Sequence, residues 1–251
     1  MSQTFPVIDT HAHLDELPDP QGDIERAKEG GVVGIVAVGQ DIPSNQKTLE
    51  IANQNQGLVF PALGYHPWRL NPEDDEKTLA QIETHLPQCV ALGEVGLDYK
   101  AKTKKKVQKA MFVRILAIAK KHDKPVIVHC RYSHQTAYEM IRDAGLKMAV
   151  FHWYSGPLEL IPLIAAAGYY MSACPALLYN PYHEKAIAAV PLSNLLLETD
   201  TPVQYQELVS RPVHVQVTLK EAARVKGVSA EEIAAQTTEN ARRCFGLKGP
   251  A

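Results

Sequence analysis

The chain has no apolar run approaching the roughly 20 residues that span a bilayer, and its opening residues lack the basic-then-apolar layout of a secretory signal. The expectation is therefore a cytoplasmic protein without a membrane anchor. Cysteine is scarce: Cys89, Cys130, Cys174 and Cys244 are scattered and form no CxxC pair, which excludes a zinc ribbon and a disulfide framework. They read as small buried apolar residues. There is no excess of positive charge either. A net charge of -2 and a pI near 6.6 argue against a broad basic surface that coats nucleic acid, so any such contact must be local. No GxSxG elbow occurs and no cysteine stands opposite a histidine at a strand end, so a nucleophilic triad has no support. Linkers, low-complexity segments and short repeats are also missing, and residues 1–251 read as a single domain.

What the chain does contain is a regular alternation. Near-continuously apolar runs lie at residues 7–13, 33–40, 58–66, 89–97, 125–130, 148–153, 169–174 and 195–200, as expected of parallel strands buried on both faces. Amphipathic stretches such as DIERAKEG, LAQIETHL, KKVQKAMFVRILAIAKKH and HQTAYEMIRDAG separate them. About eight β/α units is the number that closes a (β/α)8 TIM barrel, here with an extra helix at the C-terminal end. The tail, RPVHVQVTLKEAARVKG and then SAEEIAAQTTENARRCFG, reads as two helices, with Ser229 and Glu232 spaced as a capping box for the second.

The C-terminal strand ends, where barrel enzymes build their sites, carry a distinctive set. The first strand ends in His11 and His13, which share a face because their spacing is two. The fourth carries Glu94 in GEVGLD, the fifth His129 in HCR, the sixth His152 in HWYSG and the eighth Asp200 in ETDTP. A lone histidine at a strand end is ordinarily a hydrogen-bonded structural residue. Six ligand-type residues at matching positions on five strands instead specify a site for two divalent metal ions, whether Zn, Mn, Mg, Co or Ni. One metal would take His11, His13 and Asp200 and the other His129 and His152, with Glu94 bridging; such a pair activates water for hydrolysis.

THAHLD, GYHP, GEVGLDY, PVIVHCR, FHWYSG and LLLETDTP, in that order, resemble the TatD family of metal-dependent deoxyribonucleases among the amidohydrolase-like TIM barrels. The likeness runs from about residue 7 to TENARRCFG. It implies the same ligand assignment and hydrolysis of phosphodiester bonds in DNA, single-stranded or from a 3′ end. Glu94 stands where phosphotriesterase-type and urease-type relatives use a carboxylated lysine, which favours the TatD branch. The resemblance also makes His66 a candidate for contacting a phosphate, the alternative being that it caps the turn before Pro67.

Arg131, two residues beyond His129, is expected to share its face and to fork onto a phosphate. Asp200 is expected to take a proton from the attacking water, Asp98 to orient a ligand imidazole, and Glu198 to be structural in the barrel interior. Cys130 should face the helices. Tyr65, Trp68, Trp153 and Tyr154 are candidates for stacking on bases. Lys100, Lys102, Lys104, Lys105 and Lys106 form a basic run beside the site, either a solvated helix start or a guide for a polyanion. One departure from the family pattern is the short TPVQYQELVSRP segment, with Ser210 where the family often has Asn. The leading expectation is a two-metal deoxyribonuclease with no obligate protein partner. The rivals are a barrel hydrolase of a small ester, lactone or cyclic amide, and a metal-binding scaffold without catalysis.

Overall fold

The computed structural model describes residues 4–248; residues 1–3 and 249–251 lie outside it. Eight parallel strands follow one another round a single sheet in sequence order: β1 (Val7–Ala12), β2 (Val32–Val38), β3 (Val59–Leu63), β4 (Ala91–Asp98), β5 (Val126–Arg131), β6 (Ala149–Phe151), β7 (Tyr170–Ala173) and β8 (Leu195–Leu197). Around them run α1 (Pro20–Glu29), α2 (Ile42–Gln54), α3 (Asp75–His85), α4 (Lys105–Lys121), α5 (His134–Ala144), α6 (Ile161–Ala166), α7 (Pro181–Ala189), α8 (Val215–Lys226) and α9 (Ala230–Phe245). All eight expected strands are present. The architecture is the (β/α)8 barrel, with α9 the additional C-terminal helix.

Several helices start where the sequence places a cap. Asp41 and Ser44 exchange bonds in a reciprocal box at α2, and Asn180 accepts from the Tyr182 and His183 amides at α7. The box expected at Ser229 is half realised: its hydroxyl accepts the Glu232 N–H at 3.1 Å, and no return bond from the Glu232 carboxylate is present. The last turn of α9 packs Ala241, Cys244 and Phe245 against Ile8, Val36, Ile127, Val150 and Leu196 from the strands. Thr238 and Asn240 bond the carbonyls of Pro6, Leu192 and Leu195, which precede or begin β1 and β8. This helix therefore plugs the N-terminal end of the barrel and leaves the opposite end for the site.

Two bulges set which side chains reach that opposite end. Between Asp9 and Ala12 on β1, three residues advance against two on β2, and between Leu92 and Val95 on β4 three advance against two on β5. Each extra residue inverts the alternation of faces. Ile8 lies in the interior cluster, as does Ala91; the bulges bring His11, His13 and Glu94 onto the same inner side. The segment after β8, expected only as a loop, forms a hairpin of β9 (Gln204–Tyr205) and β10 (Leu208–Val209). Ser210 within it is fully buried and donates to the Thr199 carbonyl at 3.0 Å.

Barrel closure between β1 and β8 rests on few bonds. The Asp200 amide donates to His11 O at 2.9 Å and the His13 amide to Thr201 O at 2.8 Å. Buried Asp9 accepts the Thr199 amide at 3.0 Å and its hydroxyl at 2.6 Å, and Thr10 Oγ1 donates to Leu197 O at 3.0 Å. Thr199→Val keeps the volume and removes one donor from a buried carboxylate. It is expected to cost about 1–3 kcal/mol, seen as a lower urea midpoint with an unchanged slope.

Candidate metal centre

Glu94 is the hub of the barrel mouth. Its Oε1 lies 2.9 Å from His129 Nδ1, 2.9 Å from His152 Nε2 and 3.4 Å from His66 Nε2. Its Oε2 lies 3.3 Å from His13 Nε2 and 3.6 Å from His11 Nε2. Asp200 Oδ1 completes the second side, 3.5 Å from His11 Nε2 and 3.6 Å from His13 Nε2. All six residues named as ligands from the sequence thus converge, and the two oxygens of Glu94 face two separate groups of imidazoles. His11, His13 and Asp200 bring their donor atoms into one compact group; His66, Glu94 and His129 make a second, and His11, His152 and Glu198 a third.

The chemistry of this donor set fits divalent metal. Glu94 is 2% exposed and, among the described residues, has no lysine or arginine within ion-pair distance. Burial opposes its ionisation, but His66 and His152 nearby, with hydrogen bonds from His11 and His129, outweigh burial and hold its carboxyl well below the usual range. The demand for positive charge is passed to the imidazoles: against burial, Glu94 and Asp200 push His13 up to about 9, and Glu94 and Glu198 raise His152. His11 Nε2 and His13 Nε2 stand 3.2 Å apart, a separation at which two bare lone pairs need a cation or proton beside them. His13 Nδ1 donates to Val38 O at 3.0 Å, so the proton that a bound metal would displace is the one on Nε2, the nitrogen that faces Glu94 and Asp200.

Supporting side chains orient the others. His129 Nε2 is 3.3 Å from Asp98 Oδ2, as expected of Asp98. Asp98 is in turn held by Trp68 Nε1–H at 2.6 Å and by the amides of Lys100 and Ala101 at 2.7 and 3.2 Å. Glu198 accepts from Ser172 at 2.5 Å and the Trp153 amide at 2.7 Å, and lies 3.5 Å from His152 Nδ1. Its oxygens are therefore committed to fixing the β6 and β7 ends and the His152 ring, the interior role expected of it. At Gly64 a Cβ would fall 2.3 Å from the Glu94 backbone N and O, so only glycine lets β3 pass the bulged strand here.

His66, expected to contact a phosphate or to cap the turn before Pro67, is 1% exposed and faces Glu94 directly. Its Nδ1 accepts the Trp68 amide at 3.2 Å, the turn-capping role, which assigns the ring proton to Nε2. Burial pushes its imidazole down to about 4. His66 therefore presents a neutral N–H donor to the mouth rather than a metal-binding lone pair.

Other expectations are also revised. Arg131 ends β5 with an exposed side chain that lines a neighbouring cleft, and no carboxylate of the cluster pairs with it. Tyr65 and Tyr154 are buried, with hydroxyls bonded to Asp75 and Pro157 O, and Trp153 packs on Tyr205; none of these is free to stack on a base. Trp68 is 56% exposed and meets His66 and His129 edge-on. An exposed aromatic next to the mouth that the motifs did not single out is Tyr132, 71% exposed. Nothing but its position after HCR marks it. Asp9 was also missed, because it sits inside an apolar strand. Cys130 packs against the helix-side core, as expected.

Asp98→Asn leaves the cluster's own donors in place and loosens the His129 ring. Metal affinity, titrated against a chromophoric chelator, is expected to fall about 10- to 100-fold, with unfolding temperature little changed; unchanged affinity would remove Asp98 from the supporting shell.

A family model described as "TatD related DNase" matches residues 8–246. The human protein named deoxyribonuclease TATDN3 is 29% identical over 259 residues, covering 95% of this chain and 94% of that one. A Bacillus subtilis protein named uncharacterized metal-dependent hydrolase YabD is 31% identical over 255 residues, covering 96% and 99%. Among solved structures, YJJV, a TatD homolog from Escherichia coli K12, superposes with a TM-score of 0.88 at 28% identity, covering 96% of this chain and 98% of that one.

Proposed function

The chain belongs to the family of TatD related DNases, and from that premise we propose that it is a divalent-metal-dependent deoxyribonuclease removing nucleotides from the 3′ ends of single-stranded DNA. The observation that carries this reading is Glu94, a buried carboxylate whose two oxygens face two groups of imidazoles at the barrel mouth. His11, His13 and Asp200 would hold one cation, His129 and His152 the other, with Glu94 shared. Two bound cations would supply Lewis acidity, lowering the pKa of water and offsetting charge on a phosphoryl oxygen.

The remaining roles fall to the chain's own groups. Asp200, with Oδ1 beside both His11 and His13, takes the proton of the attacking water. The oxygen of that water bonds to phosphorus, the P–O3′ bond of the penultimate nucleotide breaks, a 5′-mononucleotide leaves, and the freed O3′ of the shortened strand takes its proton from solvent, to which Asp200 returns the one it accepted. His66 Nε2–H donates to a non-bridging oxygen, a role a neutral imidazole fills without adding charge to the centre. Arg131 contributes a cation at the rim. No helix among the described residues is long and apolar enough to cross a membrane.

Wild-type protein with magnesium, manganese or zinc is expected to convert a 5′-labelled single strand into a ladder of shortened products. Asp200→Asn is expected to lose about 100-fold or more of that rate, the usual worth of a positioned base. No cleavage by metal-loaded protein would overturn the nuclease reading and direct attention to small esters and lactones.

A further inference from the structure

Beside the metal centre, the turn between β5 and α5 and the loop after β6 enclose a cleft of about 650 Å3, lined by Arg131, Tyr132, His134, Thr136, Ser155 and Gly156 among others. Its floor is the start of α5. Ser133, at the cap position, turns its hydroxyl away to donate to Leu97 O at 2.5 Å, so no side chain accepts the first free amides of this helix. Such amides and the helix dipole favour an anion. His134 lines the same cleft, is 7% exposed, and its Nε2 has no hydrogen-bond partner. Arg131 makes no ion pair among the described residues and is exposed. A Cβ at Gly156 would lie 2.7 Å from the His134 ring, so the cleft wall admits no larger residue there.

The cleft continues into a basic ridge. Lys100, Lys102, Lys104, Lys105 and Lys106 are all exposed, and none makes an ion pair among the described residues. Lys100 Nζ stands 5.1 Å from the centre of the exposed Tyr132 ring, which links ridge to cleft. The ridge runs into the N-terminus of α4, whose first turn has no acidic residue and no side-chain cap. Lysines at that end oppose the helix dipole, so the arrangement works against the helix and is explained by a polyanion laid over it.

Resting on the nuclease reading, we propose that cleft and ridge are the strand-holding surface of this protein. The phosphate next to the scissile one sits at the start of α5 with Arg131, its base stacks on Tyr132, and the lysines of the β4–α4 segment follow the backbone beyond. The partner is a single strand, because the exposed ring of Tyr132 needs an unstacked base.

The test measures binding of a fluorescein-labelled 12-mer of deoxythymidylate to metal-loaded Asp200→Asn protein, which leaves the strand intact. Adding Lys100→Ala, Lys102→Ala and Lys104→Ala together is expected to weaken binding about ten-fold at 50 mM salt and to flatten the slope of log affinity against log salt by about 2, at roughly 0.7 per lost phosphate contact. Tyr132→Ala is expected to weaken the single strand about ten-fold and a blunt duplex much less. In the Asp200-containing protein both sets of changes raise KM for the 12-mer and hold kcat within about two-fold, a split that a general structural defect would not produce. Unchanged affinity and salt slope in the lysine variant, or loss confined to kcat, overturns the proposal while leaving the nuclease reading intact. Wild-type protein that binds the strand through these residues yet does not cleave it with magnesium, manganese or zinc present upholds this surface and defeats the nuclease reading.

Discussion

Closure of β8 onto β1 is the constraint on which the site depends. His11 and His13 come from the first strand and Asp200 from just beyond the last, so nearly the whole chain must be wound round the barrel before those three meet. The seam that joins them is thin in backbone bonding, with an isolated bridge between Ala12 and Thr201. Side chains complete it: Asp9 and Thr10 take over where the ladder lapses. The same backbone bonds that close the barrel, Asp200 N to His11 O and His13 N to Thr201 O, set the position of the ligand residues. Closing the barrel and building this part of the site are one event.

Within the closed mouth the governing problem is charge. A carboxylate as buried as Glu94 is tolerated only where positive charge is supplied, and the chain supplies imidazoles in place of lysine or arginine. Imidazoles can give up protons to make room for metal, whereas an ammonium or guanidinium would compete for the same carboxylate oxygens and block it. The surrounding contacts divide the rings by task. Val38 O fixes His13 with its Nε2 toward Glu94 and Asp200, Asp98 holds the far side of His129, and the Trp68 amide commits His66 to the tautomer protonated at Nε2. Residues of one type thus acquire different chemistry from one hydrogen bond each.

The strands were legible because runs such as VGIVAVGQ and PVIVHC have the continuous apolarity that burial on both faces demands, and the strand-end histidines stood out against them. The bulges were not. A one-residue excess in β1 or β4 leaves no compositional mark, yet it decides that His11, His13 and Glu94, rather than their neighbours, face inward. Spacing of two correctly paired His11 with His13, whose Nε2 atoms stand 3.2 Å apart. For Arg131 the same parity rule leaves open how far the side chain reaches, because β5 ends there and the residue is exposed. His66 was underestimated for a related reason: its role follows from which ring nitrogen the Trp68 amide occupies, a property of turn geometry. Tyr65 and Tyr154 show the converse, aromatic residues near the mouth whose hydroxyls find partners in the packed wall.

The near-neutral net charge of the chain also takes on a different meaning once its distribution is known. Acidic and basic side chains elsewhere pair across helices, as Arg114 with Glu76, Lys121 with Glu83 and Arg224 with Glu184 do. Among the described residues the lysines between β4 and α4 make no such pairs, so a total of -2 conceals a concentrated positive field on one side of the mouth. A field of that kind acts over about a Debye length, near 8 Å at physiological salt, and so bears on a polyanion only once part of it is already at the rim. Buried carboxylates at the centre oppose an approaching phosphate until cations offset them. Attraction at the rim and selectivity at the centre are consequently separate requirements. Separate residues meet them, exposed lysines for the first and buried imidazoles for the second, and this separation lets the interior be optimised for metal without making the whole surface basic.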